Sequence, residues 1–295
     1  MGVGVTIFFY ACIFLFGIVV GSFLNVCIYR IPLKETVVTE RSHCMSCGHT
    51  LAWYDLFPLF SWISLGGKCR YCKAKISKQY PIVEALNGIL WVMCFLTAGF
   101  YPHMILSVNE YGVWTIFSWF LACLVCSALI VVTVIDWRTF EIPFGTCVFI
   151  FVIALIKLIS KMAVEAYFVA EVAKEAGAEA TFWELINGFG DWPEYVIGFF
   201  TVSGIFFIIF LISRGNWIGL GDVKLMAPAG LFLGWKLSLV ALILGCLYGV
   251  IVHLTRMKLQ NKDHQLALGP YLSAGIVSAI WFGEPIVEWY SGFFG

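Results

Sequence analysis

Apolar residues in this chain come in long unbroken runs rather than in the alternations of half-buried strands or surface helices. The runs lie near 5–29, 82–100, 113–135, 142–160, 196–213, 223–235, 237–255 and 266–283, with short polar joints between them. A membrane-crossing helix needs about 20 apolar residues, so these runs predict eight spans. The sixth is short and holds Pro228. It reads as tilted, broken, or buried among other helices, where freed backbone groups can be re-satisfied. The first run is longer than a signal-peptide core and no small-residue cleavage site follows it, so a retained helix is expected.

Two stretches depart from this pattern. Residues 30–80 form a polar, basic loop. Residues 161–195 are acidic and alanine-rich (Glu165, Glu171, Glu175, Glu179, Glu184, Asp191, Glu194). Alanine and glutamate favour helix, and Val164, Phe168 and Val172 with Phe182 or Trp183 supply one apolar side. An amphipathic helix on the surface or capping the bundle is expected there.

Composition agrees with the runs. The chain has 295 residues, 61% hydrophobic and 12% charged. Soluble domains are roughly 45–50% apolar and 25% charged, so this is an all-α polytopic membrane protein. The net charge is zero, which leaves no basic field to suggest nucleic acid.

Charge sets the orientation. Cytoplasmic loops carry the excess of Lys and Arg. If 30–80 is cytoplasmic, alternation puts 14 of the 18 basic residues on that side, leaving only Lys157, Lys161, Lys174 and Lys236. Both termini are then outside. The expected organisation is a first transmembrane helix at 1–29, a cytoplasmic zinc-binding loop at 30–80, and a transmembrane body at 81–295 with an extracytoplasmic insert at about 161–195.

Eleven cysteines divide into two sets. Cys12, Cys27, Cys94, Cys123, Cys126, Cys147 and Cys246 lie in apolar runs and read as small buried residues. Cys44-Met45-Ser46-Cys47 and Cys69-Arg70-Tyr71-Cys72 are two CxxC pairs 21 residues apart in the polar loop. Four thiolates so arranged suit tetrahedral zinc, and a cytoplasmic setting favours metal over disulfide. The spacing is slightly longer than usual for such sites. A dithiol redox pair is the alternative, though no thioredoxin-like pattern surrounds it. His43 and His49 adjoin the first pair, as solvated loop residues or as substitute ligands. The aromatic stretch 53–62 between the pairs is expected to pack this module onto the membrane face.

The acids carry the chemistry. Asp222 sits in Gly219-Leu220-Gly221-Asp222-Val223-Lys224-Leu225, and Asp136 ends the run 113–135. An acid at membrane depth is costly and marks a function. The predicted topology puts both at the cytoplasmic face. Two carboxylates close enough to share a proton can activate water and polarise a carbonyl without metal or covalent intermediate. Gly219 and Gly221 would allow a close approach or a sharp turn before the acid, and Pro143 suits a helix start. The plainer alternative pairs Asp136 with Arg138 and Asp222 with Lys224. Glu84, at the start of the second span, is a candidate contact for substrate or cofactor, or an interfacial acid near Lys78 or Arg30.

These residues resemble the type IV leader peptidases, or prepilin peptidases, the bacterial branch of the GxGD intramembrane aspartic proteases. Gly219–Leu225 is similar to the family's GxGDxKL. Ile135-Asp136-Trp137-Arg138 with Ile142-Pro143 is similar to the segment around its first catalytic aspartate, and Gly21–Val26 with Tyr29-Arg30-Ile31-Pro32 to its N-terminal signature. Tyr80–Glu84 and Gly269-Pro270-Tyr271 resemble its second and last spans. The resemblance implies an inner-membrane enzyme, its site facing the cytoplasm, that cuts the basic leader from prepilins or pseudopilins. Many members also methylate the new N-terminal residue with S-adenosylmethionine, and the cysteine loop is tied to that activity. Asp136 and Asp222 carry over as the catalytic pair, with Gly219, Gly221 and Lys224 as supporting motif. Phe144 and the 161–195 insert depart from the family pattern. Membrane lipid is the other implied partner, and a type IV pilus or type II secretion system the setting. Two other classes fit the acids or the cysteines separately: a proton-coupled transporter, and a scaffold that docks a partner through its metal loop.

Overall fold

The structure, a computed structural model, describes residues 3–38, 41–97, 110–175, 191–260 and 267–293. These residues form helices with no β-strand between them; two isolated bridges in the cysteine loop are the only extended pairings. In chain order the helices are α1 (Val3–Leu33), a short 3-10 turn (Trp53–Leu56), α2 (Phe60–Ser64), α3 (Gln79–Thr97), α4 (Glu110–Thr139), α5 (Phe144–Glu175), α6 (Trp192–Ser213), α7 (Leu220–Leu233), α8 (Trp235–Gln260) and α9 (Gly269–Ser291). Six are long and apolar enough to cross a membrane: α1, α3, α4, α5, α6 and α8. The chain is therefore a multi-pass membrane protein. The other two long helices, α7 and α9, coincide with the sixth and eighth apolar runs of the sequence.

The core has two parts that share α4. One gathers Leu24, Ile28, Val83, Trp91, Cys126 and Ile135, packing α1 and α3 on one flank of α4. The other gathers Val125, Leu129, Ile150, Val202, Leu225 and Ile276, packing α5 to α9 on the opposite flank. Lipid supplies little hydrophobic drive between helices, so close contact of small residues and hydrogen bonds must hold them. Both are present. A Cβ on Gly230 of α7 would lie 2.0 Å from the Gly198 carbonyl oxygen of α6, so these backbones touch. On the α1–α3–α4 side, Trp91 Nε1 donates to Ser127 Oγ at 3.0 Å and Ser127 Oγ to Asn87 Oδ1 at 2.8 Å. Asn87 Nδ2 completes the chain with a 2.7 Å bond to the Gly17 carbonyl.

Two expectations change. Residues 161–175 do not form a separate surface helix; they continue α5 without a break. The cause is local: no Gly or Pro interrupts 146–175, and alanine with glutamate propagates a helix already nucleated. The rest of that insert, 176–190, lies outside the described residues. Cys12 and Cys246 are not buried but face outward from the bundle, while Cys94, Cys123, Cys126 and Cys147 are buried as expected. In the aromatic stretch between the CxxC pairs, Trp53, Phe57 and Phe60 are more than half exposed, as is Ile63 just beyond it; apolar side chains so presented are free to meet the membrane face.

Candidate active site

The two acids reach the same end of the bundle from different directions. Asp136 occupies the last turn of α4, which stops where Phe140 takes a left-handed conformation (φ 55°) and donates its N–H to the Asp136 carbonyl at 2.9 Å. Asp222 occupies the first turn of α7, which starts at Gly219. Asp136 is only 5% exposed and Asp222 9%; burial first, and then the nearness of the Asp136 carboxyl, disfavours a charge on Asp222. A Cβ on Gly221 would stand 3.2 Å from Ile142 Cβ, so the loop after α4 lies directly against the start of α7.

A third element closes the site. The backbone N–H of Gly269, the first residue of α9, donates to Asp136 Oδ2 at 3.0 Å. A Cβ at Gly269 would fall 2.6 Å from that same oxygen. Helix N-termini carry unsatisfied N–H groups and partial positive charge. Two of them, from α7 and α9, thus converge on the buried acids. This offsets part of the cost of keeping carboxylates out of water.

The pairings that would have made the acids structural do not occur among the described residues. Neither acid has an ion-pair partner there. Arg138 instead donates to Gln79 Oε1 and lies 5.1 Å over the Tyr29 ring, which stacks on Tyr80. Lys224 points over the Phe144 ring at 5.5 Å. Phe144, a departure from the family pattern, is therefore the platform for the motif lysine. Gly219 is in ordinary extended conformation (φ −76°, ψ 146°). The glycine motif here serves close approach, at Gly221, and not a left-handed turn.

Glu84 is buried at 6% exposure. It lies near neither Lys78 nor Arg30 as a salt bridge; its Oε2 accepts the Leu59 backbone N–H at 2.8 Å, and Ser22 also bonds to it. Leu59 is held at φ 61°, ψ −52° just before α2. Glu84 thus pins the cysteine loop to the bundle. This tether was invisible in the sequence, since the partner is a backbone group 25 residues away in an irregular segment.

Cys44, Cys47, Cys69 and Cys72 come together with every sulfur within 4.8 Å of every other. The Cys44 and Cys72 sulfurs are 3.8 Å apart. A tetrahedral site with metal–sulfur bonds of about 2.3 Å requires sulfurs about 3.8 Å apart, so the residues present fit the metal. The two pairs are built alike. Each folds back on itself, Cys44 N to His49 O and Cys69 N to Ala74 O, and each turns on a left-handed residue four positions after its first cysteine, Gly48 (φ 70°) and Lys73 (φ 61°). The N–H groups of Ser46 and Cys47 point at the Cys44 sulfur and pull that thiol down to about 6, ready to ligate as thiolate. Neither histidine joins the cluster: His49 packs on the Tyr71 ring at 3.7 Å, and His43 hydrogen-bonds the Arg41 carbonyl. Asp55 ties the aromatic stretch to the second pair, accepting from Arg70 Nε at 2.6 Å and Tyr71 OH at 3.2 Å.

Two buried carboxylates at one end of a helical membrane bundle, without a basic partner among the described residues and met by helix N-termini, form an arrangement that suits two-aspartate hydrolysis. Comparison with known proteins agrees. Residues 15–98 match the bacterial peptidase A24 N-terminal domain, and residues 123–254 match the type IV leader peptidase family. A type 4 prepilin-like proteins leader peptide-processing enzyme of Escherichia coli is 30% identical over 289 residues, 90% of this chain and 91% of that relative. The prepilin leader peptidase/N-methyltransferase of Pseudomonas aeruginosa is 26% identical, over 97% of this chain and 95% of its own. That of Myxococcus xanthus is 31% identical over 81% of this chain, which spans 61% of that relative's length. No solved structure matches. The chain belongs to the type IV leader peptidase family.

Proposed function

We propose that this protein is a membrane aspartic endopeptidase that removes the leader from prepilin-type precursors. Asp136 and Asp222 would share one proton. The ionised carboxyl takes a proton from water as the water attacks the scissile carbonyl, and the protonated one donates to the carbonyl oxygen. The observation that carries this reading is the convergence of α4, α7 and α9 on two buried acids with no basic partner among the described residues. The basic loops on that side support a cytoplasmic orientation, so that a basic leader would meet both the acids and an anionic leaflet.

The four cysteines would hold structural zinc, which fixes the fold of the loop and takes no part in peptide cleavage. The relatives named N-methyltransferases support a second activity, methylation of the new N-terminus from S-adenosylmethionine. Glu84, through its bond to the Leu59 N–H, would serve as scaffold beneath that module.

The test is cleavage of a prepilin by membranes carrying the wild type, Asp136→Asn and Asp222→Asn at matched levels. Loss of a general acid or base costs about 10²–10⁴-fold, so only the wild type should cut. Substantial cleavage by either variant would remove the dyad. Transfer of labelled methyl from S-adenosylmethionine to the processed product tests the second activity.

A further inference from the structure

We propose that Lys157 is a positioning residue for the dyad: its ammonium caps the far end of the short helix whose near end carries Asp222. The inference rests on the proposed role of Asp222.

The argument begins with the length of α7. Fourteen residues rise about 21 Å, short of the roughly 30 Å hydrocarbon thickness. The helix stops at Gly234 (φ 83°), whose N–H closes back on the Gly230 carbonyl. The last carbonyls of any helix lack intrahelical donors. In water they would be solvated, but Leu231, Phe232 and Leu233 are all buried, and an orphan carbonyl away from water costs free energy comparable to a lost hydrogen bond. Pro228 has already removed one rung from this helix, so its last turn leans more heavily on an external partner.

Lys157 of α5 is that partner. Its Nζ donates to the Phe232 carbonyl at 2.9 Å. It lies 4.2 Å from the centroid of the Phe232 ring and 5.5 Å from that of Tyr195. The contact is charge-assisted and sits on the negative end of the helix dipole. The result is a helix with an acid in its first turn and a cation on its last, each matched to the partial charge it meets. Lys157 is half-buried on an apolar span, where a cation is costly unless partnered; Glu284 is the carboxylate that also acts on it, and the Phe232 carbonyl is its hydrogen-bond acceptor.

Lys161, one turn further along α5, shows the contrast. It engages Glu165 at 3.6 Å, Asp191 at 3.7 Å and the Tyr195 hydroxyl at 3.3 Å. Those contacts lie outside α7. Both lysines belong to the same polar end of the bundle, yet only Lys157 touches the helix of Asp222.

The consequence is geometric. The axial position of α7 is fixed laterally by the Gly198–Gly230 backbone contact and at its end by Lys157. Without the cap the last turn unwinds or shifts to find a donor, and the rod that carries Asp222 moves with it. Catalysis is sensitive to displacements of about 1 Å, whereas substrate binding along other helices is not.

The experiment compares Lys157→Met, Lys157→Arg and Lys161→Met in reconstituted full-length protein, with kcat and KM for prepilin cleavage and the thermal midpoint for each. Asp222→Asn runs alongside. We expect Lys157→Met to lower kcat at least tenfold with KM within twofold, Lys157→Arg to recover most of that loss, and Lys161→Met to leave kcat within twofold. Should Lys157→Met fail to fold, Lys157→Gln, a shorter neutral donor, replaces it and should give an intermediate kcat. Wild-type kcat in the neutral variant, or a loss that Lys157→Arg does not recover, overturns the proposal. An inactive Asp222→Asn beside a fully active Lys157→Met would sink the cap alone. An active Asp222→Asn would sink the reading on which it rests.

Discussion

Gly269→Ala separates the catalytic geometry from the stability of the helix that supplies it. In ordinary contacts a Cβ stays at least 3.4 Å from its neighbours, but at Gly269 it would meet Asp136 Oδ2 at 2.6 Å and Cγ at 3.0 Å. The carboxylate must retreat by about 0.8 Å, the difference between the 3.4 Å of ordinary contact and 2.6 Å, and the 3.0 Å N–H bond to it lengthens or breaks. A hydrogen bond to a charged group is worth about 1.5–3 kcal/mol. Since about 1.36 kcal/mol is tenfold in rate, kcat should fall roughly 10- to 150-fold. The helix itself should not suffer. Gly269 opens α9 with no left-handed backbone, and alanine is up to about 1 kcal/mol better than glycine in a helix. Activity and thermal stability should therefore move independently, with kcat down sharply and the melting midpoint within a few degrees of wild type. The assay is initial-rate cleavage of a prepilin in detergent or nanodiscs, with the midpoint read by intrinsic fluorescence. A kcat within threefold of wild type would refute the claim that the α9 N-terminus fixes Asp136.

Other perturbations have different signatures. Gly230→Ala drives a Cβ into the Gly198 carbonyl at 2.0 Å, backbone against backbone, so α6 and α7 must part; the yield of monodisperse protein on size exclusion should collapse. Ser127→Ala strands Trp91 Nε1 and Asn87 in the core. In membrane bundles such bonds are worth about 0.6–1.7 kcal/mol, so the midpoint should drop by about 2–6 °C while cleavage at lower temperature is retained. Cys44→Ser and Cys69→Ser should lower zinc, measured by plasma emission, from about one ion per chain to background. Methyl transfer should go with it and leader cleavage should persist; loss of cleavage in parallel would show that the loop also shapes the peptidase site.

Much of this architecture was written in local signals. The apolar runs marked each of the eight long helices among the described residues, and the shortness of 223–235 with Pro228 announced the half-length α7. The two CxxC pairs announced the sulfur cluster through their spacing. The aspartates stood out because acids beside apolar runs are few. What the sequence did not show was anything made by backbone groups or by side chains far apart in the chain. The Gly269 N–H reaches Asp136 across 133 residues, Lys157 reaches Phe232 across 75, and Glu84 reaches back 25 to Leu59. Backbone donors and acceptors carry no residue signature. The continuation of α5 to Glu175 was missed for another reason: polarity change was read as a helix boundary, although nothing in 161–175 breaks a helix.

The sharing of α4 between two cores has a bearing on how the protein could be assembled. One flank of α4 receives α1 and α3 through small residues and a buried polar chain; the other receives the five later helices. Among the described residues only α4 and part of α9 join the two cores, and one family model ends at residue 98, before α4, while the other begins at residue 123, within it. Membrane helices insert first and associate afterwards. Two polypeptides divided between Thr97 and Glu110 should therefore find each other in one bilayer, with α4 as the template on which the N-terminal pair docks.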